Sequence, residues 1–221
     1  MFDSIAPRYD LLNHALSLGI DILWRRKAVR LLRPYAPKRI VDMATGTADF
    51  AIEACKLNPD AIIGIDISPQ MLEVGREKVR RKALDQLITL QEGDSEAIEL
   101  PNDSVDAITV GFGVRNFENL RLGLSELRRI LRPGGAVAIL EPSYPTRFPM
   151  KQLFYLHFRV LTPLIGRLIS GDNAAYTYLP DSVRAFPNGK AFTDICEEVG
   201  FSKAVYKPLT FGICSLYLLE K

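Results

Sequence analysis

Three aspartates stand where a small ligand can be held. Asp42, Asp66 and Asp94 each come at or just beyond the end of a short apolar run. Asp42 closes Ile40-Val41 and leads into a small-residue turn around Gly46, after which Ala48–Ala54 is a good helix-forming sequence. Strand, tight turn and helix make the first half of a βαβ unit, and ligands sit at such turns, outside the carboxyl end of the strand. Asp66 lies 24 positions after Asp42, close to the offset at which an acid accepts both hydroxyls of a ribose in these folds. A carboxylate has acceptor capacity on both oxygens and needs no other partner for that contact. Asp94 can accept from an adenine amino group while the backbone N–H of Ser95 reaches a ring nitrogen.

The turn restricts the ligand further. A dinucleotide site wants Gly-x-Gly-x-x-Gly, so that a pyrophosphate can approach the backbone. The matching positions here are Ala44, Gly46 and Asp49, with one glycine and a negative charge where phosphate would lie. No P-loop is present either. The turn favours a nucleoside-like ligand without a pyrophosphate, and Asp42 points to a cationic group beside it. S-adenosylmethionine, with its ammonium and sulfonium, fits those charges; an ordinary βα turn without a ligand is the plain alternative. A second group of polar residues, Arg115 and Asn116, follows the flexible Gly111-Phe112-Gly113 turn at the end of a fourth strand. His14 and Tyr9, in a helical stretch before the first strand, can roof the ligand turn or simply pack at the surface.

The elements that must position these residues follow from periodicity and turn chemistry. Helical spacing of apolar residues runs to about Pro34, with Arg25, Arg26, Lys27 and Arg30 read as a solvated face. Strands are expected at Ala61–Asp66, Ile88–Glu92, Val105–Val110 and Ala136–Pro142. Ser68-Pro69 opens a helix as N-cap and first residue, with Lys78 on its outer face. A further helix spans Asn119–Leu131 and is stopped by Arg132-Pro133-Gly134-Gly135. Some sixty residues then separate the fifth strand from the sixth, near Lys203–Tyr206, far more than a usual connection. This is a helical insertion, placed at about 145–187. The final strand follows the sixth by only Pro208-Leu209-Thr210, too short for a parallel crossover, so it must run antiparallel.

The chain has 221 residues and a net charge of +2, which suits one domain and gives no case for a nucleic-acid partner. Cys55, Cys196 and Cys214 have no paired spacing and suit free thiols in a reducing, cytoplasmic setting. Histidine and cysteine are too scattered for a metal site. The N-terminal residues do not read as a signal peptide. The apolar stretch Phe148–Ile169 is interrupted by Lys151, His157, Arg159, Pro163 and Arg167, so it is a poor membrane span.

Val41–Asp49, Asp66–Leu72, Arg132–Gly135 and the terminal hairpin together resemble the class I S-adenosylmethionine-dependent methyltransferases. More specifically, Phe2–Asn13, Gly111–Asn116 and Glu141-Pro142-Ser143 resemble the ubiquinone/menaquinone-biosynthesis C-methyltransferases, over essentially the whole chain. The resemblance implies an α/β, Rossmann-like seven-stranded sheet with its last strand antiparallel, N-terminal helices, and a single domain over 1–221. It implies that Thr47, Asp66, Asp94 and Ser95 contact the methyl donor, with Asp42 and Gly46 shaping the same site. It also implies a prenylated quinol as substrate; a membrane surface touched peripherally and a second copy of the chain are compatible partners. The family's glycine-rich turn has become Ala44-Thr45-Gly46. Ubiquinone relatives often carry Ser where Gly111 stands, which tilts the reading to demethylmenaquinol over a benzoquinol. Relatives tend to begin earlier, so an N-terminal helix is expected to be incomplete.

Methylating a ring carbon needs a carbon nucleophile, which a quinol supplies when the hydroxyl ortho to that carbon loses its proton. Arg115 can lower that hydroxyl's pKa as a fixed charge but cannot be a base, because guanidinium stays protonated. A water held by Arg115 and Asn116, or His14, is then the proton acceptor; Arg115 as a mere tie for its loop is the alternative. A methyltransferase of another small acceptor, a nicotinamide-dependent reductase and a non-catalytic binding module are the rival functions. The interleaved apolar residues and cations of Phe148–Ile169, Phe154 and Phe158 among them, read as a lid that receives a prenyl chain near anionic headgroups, or as a packed cap.

Overall fold

The computed structural model describes residues 6, 17, 19–145, 148–149, 151–152 and 181–221. Tyr9, His14, Phe154 and Phe158, with most of the insertion, lie outside the described residues. The site is carried by a seven-stranded sheet in the order β3-β2-β1-β4-β5-β7-β6. Its strands are β1 (Arg39–Met43), β2 (Ala61–Asp66), β3 (Ile88–Glu92), β4 (Val105–Gly111), β5 (Leu131–Pro142), β6 (Lys203–Leu209) and β7 (Cys214–Glu220). β1 pairs in parallel with β2 and β4, β2 with β3, and β4 with β5. β7 is antiparallel to both β5 and β6.

The central strands are buried on both faces, which is why they read as unbroken apolar runs. Ile40, Ala107, Ala136 and Ala138 turn to one face, covered by α1 (Ile20–Leu32), α2 (Asp49–Ala54) and α3 (Pro69–Arg81). Val41, Ile108, Val137 and Ile139 turn to the other, covered by α4 (Leu120–Ile130) and α5 (Lys190–Glu198). Leu124, Leu127 and Ile130 of α4 are fully buried, each contributing ~1.5–3 kcal/mol of apolar burial.

The helix starts follow the chemistry read from sequence. Ser68 accepts from Met71 N–H at 3.2 Å, with Pro69 at the first position of α3. Asn119 caps α4 through Leu122 N–H at 3.1 Å. Two boundaries differ. The Arg132–Gly135 stretch, expected to lie before the strand, is carried within β5, which starts at Leu131; pairing with β4 shifts between Val105 and Ala107 to absorb it. A side chain at Gly135 would meet the Asp106 carbonyl at 2.7 Å, so only glycine passes there. β6 runs through Pro208, which an edge strand tolerates because one face of its ladder is unpaired. No helix among the described residues is long and apolar enough to cross a membrane.

Candidate functional site

Chain order reverses between β1 and β4, so the loops leaving their carboxyl ends diverge and open a crevice. A cavity of about 220 Å3 lies there. Its walls come from Ala44 and Gly46 after β1, Asp66 and Ile67 at the end of β2, and Asp94 and Ser95 after β3. Phe112, Asn116 and Phe117 close the side after β4.

The turn after β1 is an unusual piece of backbone. Ala44, Gly46 and Ala48 have φ of 52°, 52° and 67°, a left-handed conformation that costs a non-glycine residue about 1–3 kcal/mol. Surrounding groups hold it. Asp42 accepts from Thr45 Oγ1 at 2.6 Å, Ala51 N–H at 3.0 Å and Thr109 Oγ1 at 2.6 Å. Asp66 accepts from Gly46 N–H at 2.7 Å. α2 has no side-chain N-cap; its first residue, Asp49, instead draws Lys78 to 2.6 Å and Arg25 to 3.2 Å, and Arg25 also pairs with Asp21.

These contacts show where the turn places two of the expected site residues, Asp42 and Thr47, which both line a smaller pocket at the turn. Asp42 was expected beside a cationic ligand group, yet it is 0% exposed and its oxygens serve the scaffold of the turn. Burial pushes its pKa up to about 6 in spite of those three hydrogen bonds. Thr47 is also buried, takes a hydrogen bond from Lys78 Nζ at 3.1 Å, and lies on a smaller pocket behind the turn with Arg25 and Asp49, not on the main cavity. Arg25 and Lys78 are therefore buried or half-buried, not the solvated face their helical positions implied.

Gly46, Asp66, Asp94 and Ser95 are brought together on the cavity wall. The two Asp66 oxygens each accept one backbone N–H, from Gly46 and from Ser68 at 2.9 Å. That fixes the orientation of the carboxylate on the cavity wall; the two oxygens of a carboxylate can accept from a pair of hydroxyls. Asp94 accepts from Glu96 N–H at 2.9 Å through Oδ1. Ile67, missed by sequence reasoning, lines the same wall and is 67% exposed; its signal was an apolar residue wedged between a strand-end acid and a helix N-cap. A Cβ at Gly113 would lie 2.4 Å from that of Ala44, and one at Gly93 would lie 2.8 Å from Ile65. Glycine at these two positions lets the wall segments pack closely on each other, and a ribonucleoside fits the donor and acceptor set of the cavity.

Arg115 does not line the cavity. Its side chain is 7% exposed and pairs with the fully buried Glu141 at 3.0 Å. It also donates to the Phe112 carbonyl, while its Nε is buried with no acceptor among the described residues. Its charge is offset by Glu141, and its bond to the Phe112 carbonyl ties the turn after β4. Asn116 is on the wall, with Nδ2 at 3.4 Å from the Phe112 carbonyl. Phe112 sits at φ 61°, and its ring meets Trp24 edge-on at 6.2 Å.

The sheet order and the antiparallel last strand are those of a class I methyltransferase, whose methyl donor is S-adenosylmethionine. A solved methyltransferase from Thermotoga maritima, 17% identical, shares the fold with a TM-score of 0.67 over 100% of both chains. The chain belongs to the ubiE/COQ5 methyltransferase family, whose model matches residues 1–221. A Bacteroides fragilis protein named "Demethylmenaquinone methyltransferase" is 51% identical over 100% of this chain and 91% of its own length. A Geobacter sulfurreducens protein named "Ubiquinone/menaquinone biosynthesis C-methyltransferase UbiE" is 43% identical over 100% of this chain and 87% of its own.

Proposed function

We propose that the protein transfers a methyl group to a ring carbon of a prenylated quinol, demethylmenaquinol. The observation that carries this is the 51% identity along the whole chain to a relative bearing that activity in its name. Gly111 lines the cavity, and a Cβ there would press on the Phe50 ring at 3.0 Å, so glycine lets β4 pack against α2 at this edge. The Geobacter relative's double name favours a second reading in which a benzoquinol is also accepted.

S-adenosylmethionine supplies an electrophilic methyl group on a sulfonium. Asp66 holds the ribose hydroxyls, Asp94 and Ser95 the base, and Gly46 gives the backbone room. The acceptor carbon becomes nucleophilic when the neighbouring hydroxyl loses its proton. Asn116 holds the water that takes it, or His14 takes it directly. Phe112 and Phe117 make that side of the cavity apolar, which favours a step in which charge is annihilated. Arg115 positions the Gly111–Gly113 turn through Phe112 and Glu141. The enzyme works as a single domain at a membrane surface, since a prenyl tail leaves the bilayer only partly.

Methyl transfer measured side by side on reduced demethylmenaquinol, its oxidised quinone and a benzoquinol tests the reading. Transfer to the reduced naphthoquinol and none to the quinone is expected. No transfer to either quinol, while S-adenosylhomocysteine still raises the melting temperature, would overturn it.

A further inference from the structure

The connection between β6 and β7 has a feature that methyl transfer does not use. Thr210, Phe211 and Gly212 have φ of 45°, 58° and 92°. Three successive left-handed residues are rare, and a bulky aromatic among them is an outlier. Such backbone persists where its surroundings over-determine it, and it clusters at ligand sites. Burial does not compensate here, because Phe211 is 78% exposed.

The surroundings do fix the loop. Trp24 Nε1 donates to Thr210 Oγ1 at 2.8 Å. Ser143 Oγ donates to the Gly212 carbonyl at 2.9 Å, and Ser143 N–H to the Ile213 carbonyl at 2.8 Å. Cys214 pairs with Pro142 and Leu140 with Gly111, so the loop stands on the carboxyl edge of the sheet, where the cavity opens. The Trp24 ring that holds Thr210 also meets Phe112, and Phe112 lines the cavity. The buried Trp24 thus links the cavity-wall residue Phe112 to the loop that carries the exposed Phe211 ring, and the loop backbone is locked in place.

Resting on the quinol reading above, we propose that Phe211 is a binding residue for the acceptor's prenyl tail, which leaves the cavity past Phe112 and lies against the Phe211 ring. An isoprenoid chain has no charge or hydrogen-bonding group, so its recognition requires apolar area outside the reaction cavity. A ring held rigidly beside the exit offers that area with little ordering cost on binding.

The test compares Phe211→Gly and Phe211→Leu with the wild type on a long-tailed and a tail-less naphthoquinol. Glycine is at ease at positive φ, so the melting temperature of Phe211→Gly should hold or rise. Its kcat/KM ratio, long-tailed over tail-less, should fall at least fivefold through KM, and Phe211→Leu should restore most of that ratio. An unchanged ratio in Phe211→Gly, or a lowered melting temperature with equal losses on both quinols, overturns the tail assignment alone. A wild type that methylates neither quinol overturns the quinol reading itself.

Discussion

On the side formed by β1, β2 and β3, the cavity is edged by strand ends. Asp66 is aimed by two backbone N–H groups and Asp94 by one, at 2.7–2.9 Å, and both line the cavity. On the side after β4 and β5, the polar groups face one another. Arg115 and Glu141 are buried together, Phe112 is held left-handed, and the cavity receives Phe112 and Phe117 with Asn116 and Glu118 beside them. The first side has the chemistry of a nucleoside: fixed acceptors for hydroxyls and an amino group. The second has the chemistry of a large apolar acceptor, where shape is set by a loop and the loop is set by a buried ion pair. Loss of an acid on the first side removes a ligand contact. Loss of a charge on the second removes the loop.

The sharpest way to break this contrast is Arg115→Ala. It leaves the Glu141 carboxylate, 0% exposed, without its cation, and stranding one member of a buried pair costs about 3–5 kcal/mol. Urea unfolding should show a loss of that size. The double change Arg115→Met with Glu141→Leu should recover much of it. Wild-type stability in Arg115→Ala would return Arg115 to the cavity as a free cation.

Asp42 tests whether the donor-side turn is a scaffold. Burial raises its pKa from 3.8 to about 6, so the folded chain binds the proton more tightly than the unfolded one. The group's contribution to stability is whole below about pH 4 and is lost as pH rises through 6, a change of about 3 kcal/mol. Asp42→Asn keeps an acceptor for Thr45 and Ala51 and removes the titration. Its stability relative to wild type should climb by that amount between pH 4 and 7, followed by urea midpoints. A constant difference across that range would mean that Asp42 is solvated or paired with a ligand-side cation.

The smallest effect is expected where a ligand contact alone is removed. Asp66→Ala should weaken S-adenosylmethionine at least tenfold in calorimetric titration, since charge-assisted hydrogen bonds contribute about 1.5–3 kcal/mol each. The Arg115–Glu141 double variant should leave that affinity nearly untouched. Unchanged affinity in a folded Asp66→Ala would take the ribose away from β2.

The sequence alone determined the strands at Ala61–Asp66 and Ile88–Glu92, the Ser68-Pro69 helix start and the antiparallel last strand. Each is encoded within a few residues, by apolar runs, capping chemistry or a connection too short for a crossover. It also placed acids at strand ends, because the position of an acid relative to a strand is local. Tertiary structure decided what each acid faces. Asp42 and Asp66 look alike in sequence, yet Thr109, 67 residues away, helps fill Asp42's oxygens, while Asp66 stays on the cavity wall. Arg25 and Lys78 sit on helix faces that read as solvated until Asp49 draws both beneath the turn. Arg115 reads as a free cation until Glu141, 26 residues on, neutralises it from the next strand. A side chain's charge belongs to its residue type, but the partner that spends that charge comes from whichever distant strand or helix the fold sets beside it.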